Sequence, residues 1–147
     1  MDSAFERSPL KRLLFVCVEN SNRSQMAEAF ARIHGRDRVK AYSAGSQSVG
    51  EINPKAIEAM RLIGYDLSQP RSKSLAEIPD IEFDFVATMG CGDECPFVRA
   101  KLREDWKIPD PKDFSGAEFS AVRDKIESRV VTMLRELRIV GHLRWEA

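Results

Sequence analysis

Cys17 and Arg23, with Ser24 directly after, frame the short loop Val18-Glu19-Asn20-Ser21-Asn22. A thiol and a guanidinium at the two ends of such a loop can form a nucleophile facing a bound oxyanion. The requirement is a loop that runs from a strand into a helix N-terminus. Several backbone N–H groups then converge on one point, and with the helix dipole they cradle an anion. A thiol at the mouth of that cradle stands in a positive field, which favours the thiolate. Arg23 supplies a planar fork suited to two oxygens of a tetrahedral oxyanion. Ser24 can donate a hydrogen bond to the sulfur. Asn20 suits the loop because asparagine tolerates left-handed backbone and bonds neighbouring amides.

The flanking segments meet that requirement. Residues 12–18, RLLFVCV, read as a buried parallel strand that ends around Cys17. Beyond the loop, Ser24 reads as an N-cap. Met26, Ala29, Phe30 and Ile33 recur at helical spacing until Gly35. VKAYSAG at 39–45 reads as a second strand. Asn53-Pro54 supplies a cap and a proline for a helix with the stripe Ile57, Met60 and Ile63, ended by Gly64. Ser74 and Glu77 have capping-box spacing for a short helical turn before Pro79. EFDFVATM at 82–89 reads as a third strand, and Trp106–Ile108 as a short fourth one inside a Gly/Pro-rich loop region spanning 90–116. Ser115 and Glu118 open a final helix carrying Val122, Ile126, Val130, Leu134 and Leu137 on one face. Strands alternating with helices imply an α/β fold: a four-stranded parallel sheet flanked by helices on both faces. Ligands of such sheets bind beyond the carboxyl ends of the strands. Cys17 and the loop at 90–95 both fall there.

The chain has 147 residues, 43% of them hydrophobic and 31% charged, and Lys plus Arg balance Asp plus Glu at 23 each. The length fits a single catalytic domain over 1–147, with about 1–10 and 140–147 as peripheral tails. Zero net charge gives no general attraction to nucleic acid or an anionic membrane, so any anion specificity must be local. No apolar stretch reaches spanning length, and MDSAFERSPLKR has no signal-peptide pattern, so a cytoplasmic location is expected. Three cysteines do not make a disulfide framework. Reactive or simply buried thiols are the remaining options. The two histidines, His34 and His142, lack metal-ligand spacing, so no metal site is expected.

CVENSNRS carries the Cys-x5-Arg-Ser signature and resembles the low-molecular-weight protein tyrosine phosphatases. It is most similar to their relatives, the thiol-coupled arsenate reductases. The resemblance runs along nearly the whole chain through CVENSNRSQMAEAF, YSAG, NPKAIEAM, VATMGCGDECP and WKIPDP. It implies a flavodoxin-like four-stranded parallel sheet, Cys17 as nucleophile, Arg23 as oxyanion clamp, Asp110 as general acid and residues 18–23 as the oxyanion loop. Expelling an oxygen leaving group needs a proton donor opposite the sulfur, which is the part Asp110 would take.

Two enzymes share that chemistry and a second thiol separates them. Water releases phosphate from a phosphocysteine, whereas arsenic must receive two electrons. Cys91 and Cys95 are four residues apart in a loop where Gly90 and Gly92 allow movement. In a relay, Cys91 attacks the Cys17 adduct, Cys95 then attacks Cys91, and a thioredoxin-like protein or another thiol donor reduces the exported disulfide. Arsenate or phosphate is the expected anion, an external dithiol the reductant, and no bound cofactor is expected. Gln25 follows the Arg-Ser pair where the phosphatases usually have proline. Lys112 follows Asp110-Pro111 where those acting on aryl phosphates commonly have an aromatic. Both favour a small inorganic anion. The closer cysteine spacing departs from the best-known thioredoxin-coupled reductases. Lys73 stands where some of them have a carboxylate for a potassium ion, although Asn20, Glu28 and Ser43 remain. The alternatives are a phosphatase acting on phosphotyrosine or small phosphoesters, and a non-catalytic oxyanion or redox sensor.

Overall fold

The computed structural model describes residues 10–90 and 98–139. Cys91 and Cys95, and with them the expected relay, lie outside the described residues, as does His142. Four strands form one sheet: β1 (Lys11–Cys17), β2 (Val39–Gly45), β3 (Phe83–Thr88) and β4 (Ala100–Asp105). Their spatial order is β2-β1-β3-β4, and all neighbours pair in parallel. Three helices accompany them: α1 (Arg23–Gly35), α2 (Pro54–Arg61) and α3 (Gly116–Glu136).

β1 is central because it is apolar from Leu13 onward: Leu13, Leu14 and Phe15 are fully buried and Val16 nearly so. Alternate residues feed opposite faces. Leu13, Phe15 and Cys17 join one core cluster with Met26 and Phe30 of α1, Met60 of α2, and Ile126, Val130 and Leu134 of α3. Leu14 and Val16 join the second cluster, packed by Leu75, Ile78, Ile81 and Val98. The helical cover is therefore uneven: among the described residues, one face takes three α-helices and the other a single 3-10 turn, Leu75–Glu77. That turn carries the expected Ser74/Glu77 capping box, and α3 carries the expected Ser115/Glu118 box.

Three local expectations change. The fourth strand is Ala100–Asp105, and not Trp106–Ile108. β4 is an edge strand whose side chains are largely exposed, so AKLRED shows no apolar pattern. Trp106 and Ile108 are buried instead as the chain leaves the sheet. The Trp106 ring packs against Phe15 and Phe85, with centroids 5.9 and 6.0 Å away. In α2 the buried residues are Ala56, Ala59 and Met60, while Ile57 is half-buried and Ile63 lies exposed beyond the helix. Ser24 is not the N-cap of α1; Asn22 holds that position without a side-chain cap bond.

Candidate active site

β1 is the point of divergence in the sheet, with β2 on one side and β3 on the other. Loops leaving such a strand open a crevice at its carboxyl end. Cys17 is the last residue of β1 and only 2% exposed. The loop after it is tied down carbonyl by carbonyl. Cys17 O accepts from Ser46 N, Val18 O from Gln47 N, and Ser21 O from Asn53 N, at 3.2, 2.7 and 3.0 Å. Glu19 O accepts from Ser72 Oγ at 2.7 Å. A peptide's N–H points opposite to its carbonyl, so drawing these oxygens outward turns the amides of the same peptides the other way, as a nest for an oxyanion requires. The uncapped start of α1 leaves further first-turn donors free of side-chain partners. Gly45 is paired with Cys17 in the sheet and makes the close approach possible. A Cβ there would stand 2.6 Å from Val18 O and 2.9 Å from Asn20 N.

Asn20 takes the left-handed backbone expected of it, with φ 55°. Its side chain organises the loop from within. Oδ1 accepts from Gln25 Nε2 at 2.9 Å and Lys73 N at 2.7 Å. Nδ2 donates to Ser24 Oγ at 2.7 Å. Ser24 Oγ is 2.9 Å from Cys17 Sγ. Asn20 donates to that oxygen and so fixes it beside the sulfur, where its hydroxyl can give the thiol a hydrogen bond. The residue expected to cap the helix thus supports the thiol.

Arg23 is buried, 6% exposed. Nη1 donates to Ile108 O at 2.9 Å, and Nη2 lies 3.9 Å from Asp110 Oδ2. Nε is buried with no partner among the described residues. An orphaned buried guanidinium donor calls for a ligand. Gly90, two residues past β3, makes room for the group: its φ is 79°, and a Cβ there would fall 2.5 Å from Arg23 Nη1. The sequence reads this glycine as a hinge; the fold gives it a steric duty beside the guanidinium.

Asp110 enters from the loop after β4. Its side chain is 47% exposed, and Oδ1 accepts from Lys112 N at 3.2 Å. Lys55 of α2 donates to Lys112 O and Phe114 O at 3.3 and 3.0 Å, which fastens that loop to the helix. Cys17, Val18, Glu19, Ser21, Asn22, Arg23, Asp110 and Lys112 line one cavity of about 220 Å³. Every site residue expected from sequence within the described part is therefore in or beside one pocket. Ser72, Gly45, Gln25 and Ile108 were not expected there. No spacing signal links Ser72 to a loop 53 residues earlier.

A larger cleft of about 910 Å³ lies against β2 and contains neither Cys17 nor Asp110. Glu28 and Lys73 line it. Glu28 accepts from Ser43 Oγ, pairs with Arg32, and faces Lys73 Nζ at 3.9 Å. Burial pushes the Lys73 ammonium below the usual lysine range, and Glu28 partly offsets this. Among the described residues no group of three His, Cys, Asp or Glu could hold a metal ion. His34 pairs with Glu127 at 2.7 Å. No helix among them is long and apolar enough to cross a membrane.

The sequence and the fold both match known proteins. The family model described as "Low molecular weight phosphotyrosine protein phosphatase" matches residues 12–140. A protein of Synechocystis named glutaredoxin arsenate reductase is 34% identical over 131 residues, spanning 87% of this chain and 99% of that protein. The arsenate reductase of Bacillus licheniformis is 40% identical over 132 residues, spanning 82% and 92%. Among solved structures, an arsenate reductase in oxidized state superposes with TM-score 0.79 at 33% identity, covering 89% of this chain and all of that one. One in the phosphate binding state gives 0.77 at 33%, covering 86% and 98%.

Proposed function

The chain belongs to the low molecular weight phosphotyrosine protein phosphatase family, and from that premise we propose that it is an arsenate reductase working through a covalent adduct on Cys17. The observation that carries the reading is the pocket itself. It is about 220 Å³, has the thiol and Arg23 in its lining, and among the described residues is lined by no aromatic ring. A bare tetrahedral oxyanion fits such a space, whereas a phosphotyrosine ring wants an apolar wall. The buried Arg23 Nε supplies an unfilled donor for it. Relatives at 34–40% identity named arsenate reductases support the same choice.

Cys17 thiolate, held by the Ser24 hydroxyl, attacks arsenic; an arsenic–oxygen bond breaks, and Asp110 gives the departing oxygen its proton. The loop amides and Arg23 carry the charge on the remaining oxygens. Cys91 then attacks the Cys17 sulfur. The electron pair of the sulfur–arsenic bond stays on arsenic, which leaves as arsenite, and a Cys17–Cys91 disulfide forms. Cys95 attacks Cys91 and releases Cys17, and an external dithiol reduces the resulting Cys91–Cys95 disulfide. The reductant is a thioredoxin-like protein or another thiol donor, and the reaction belongs in a reducing compartment such as the cytoplasm.

The family also supports hydrolysis as a second reading, because Cys17, Arg23 and Asp110 suffice for a phosphocysteine that water resolves. Arsenate reduction with alternative thiol donors, measured beside aryl phosphate hydrolysis, decides between them. Cys91→Ser should abolish multiple-turnover reduction and spare any hydrolysis. Cys95→Ser should allow one round and accumulate the Cys17–Cys91 disulfide, visible by mass spectrometry of quenched protein. If both variants reduce arsenate at the wild-type rate with a protein dithiol, the relay is wrong.

A further inference from the structure

The mouth of the pocket is crossed by two charges that the reaction sequence does not use. Lys112 Nζ lies 3.8 Å from Glu19 Oε2, and both residues belong to the lining shared with Cys17 and Arg23. A carboxylate beside an oxyanion site is costly, since it repels the ligand the amides and Arg23 attract. The backbone that carries Glu19 is fixed at the pocket edge. The Glu19 carbonyl is held by Ser72 Oγ, and its backbone lies so close to Gly45 that a Cβ there would come within 2.9 Å of its carbonyl carbon. Its other carboxylate oxygen faces Ser21 Oγ at 3.5 Å. Lys112 is fastened from the opposite side: its amide bonds Asp110 Oδ1, and its carbonyl takes the Lys55 ammonium. The pair therefore links two walls that come from opposite ends of the chain. Its members are about half and one-third exposed, so it lies at the solvent edge and not on the pocket floor.

We propose that the Glu19–Lys112 pair is a specificity device, a charged strap that admits bare inorganic oxyanions and hinders organic phosphoesters. A tetrahedral anion lies beneath the strap and needs none of its space. An ester's substituent must leave the pocket through the mouth, where it separates the pair and leaves Glu19 unneutralised beside the anion. Lys112 thus has two effects: it cancels the Glu19 charge for the small anion, and it closes the exit for the large one. The inference rests on reading Cys17 and Arg23 as an oxyanion site, and it does not require that arsenic be reduced.

The test is a double-mutant cycle of Glu19→Ala, Lys112→Ala and the pair, with three readouts: KM and kcat for arsenate reduction, inhibition by inorganic phosphate, and kcat/KM for para-nitrophenyl phosphate. Lys112→Ala leaves Glu19 unpaired. Arsenate KM and the phosphate inhibition constant should rise about fivefold, the range of an exposed ion pair, with a smaller change in kcat. The rise should shrink in high salt. Glu19→Ala opens the mouth without leaving a bare carboxylate. It should raise ester kcat/KM by roughly fivefold or more relative to arsenate. The double variant should recover the wild-type phosphate constant while keeping the gain in ester hydrolysis. Additive losses in the cycle, or an unchanged ester-to-arsenate ratio in Glu19→Ala, overturn the strap. Absence of arsenate reduction in the wild type counts against the reductase reading alone, because phosphate inhibition and ester hydrolysis still report on the pair.

Discussion

The two walls of the pocket are built in contrasting ways. The cysteine wall is buried and over-determined: Asn20 is fully enclosed, Ser24 likewise, and Arg23 nearly so. The carbonyls of Cys17 and of three loop residues are bonded outward, and the Asn20 side chain spends every polar atom on Ser24 and Gln25 of α1 or on Lys73. The Asp110 wall is half-exposed and held by the Lys112 amide, the Lys55 bridge and a long contact to Arg23. The difference fits the work we propose for each wall. An oxyanion cradle stabilises charge only if its dipoles are fixed before the reaction. A proton donor needs reach, and exposure lets it recover its proton from water.

Substitutions can break or sharpen that contrast. The largest effect belongs to Cys17→Ser. An alkoxide is far harder to form than a thiolate near neutrality, so arsenate reduction and any phosphatase activity should vanish while phosphate still binds. Measurable multiple turnover by this variant removes Cys17 as nucleophile. Next is Asp110→Asn, which keeps the shape of the exposed wall and removes its proton. The rate should fall roughly a hundredfold to ten-thousandfold. Phosphate affinity, measured by calorimetry, should hold, because the amide keeps the shape of the carboxyl and the anion's donors are on the other wall. If affinity collapses instead, the exposed wall is part of the cradle and the contrast fails.

Arg23→Lys tests the buried wall. Charge is kept, but the fork that reaches Ile108 O and leaves Nε for a ligand is lost. A loss of about a hundredfold in rate, with weakened phosphate binding, is expected. Near wild-type rates in single-turnover assays would show that Arg23 only supports the helix start. The smallest effect should come from Ser72→Ala. It removes the donor to Glu19 O and the acceptor for Val49 N. Leaving such groups unpaired costs about 1–3 kcal/mol of stability, readable in urea titration. A larger fall in rate than in stability would show that the loop's geometry, and not only its anchoring, depends on segment 71–73.

Legibility in the sequence followed the same division. The cradle was readable because its chemistry is local. An apolar run, a polar loop and a helical stripe are contiguous, and Cys17, Asn20, Arg23 and Ser24 are within eight residues. Asn20 as the left-handed residue needed only the known tolerance of asparagine for that backbone. The parallel sheet was likewise implied by the alternation of strand-like and helix-like segments. β4 escaped notice because its side chains are almost all exposed and AKLRED carries no apolar signature, whereas β2, the other edge strand, is mostly buried and was legible.

By itself, then, the sequence determined the thiol and guanidinium, the helix that follows their loop, and the order of strands and helices that brings loop ends to one edge. Each depends on neighbours in the chain, where propensity and periodicity act. Tertiary structure alone decided what surrounds those groups. It put Asn22 and not Ser24 at the helix cap, and it held the Ser24 hydroxyl, already expected beside the sulfur, with a bond from Asn20 Nδ2. It set Gly90 and Ile108 O around Arg23, Gly45 under the loop, Ser72 behind Glu19, and Lys112 across from it. These partners are separated in the chain by tens of residues, and only sheet register and helix packing give them a common address.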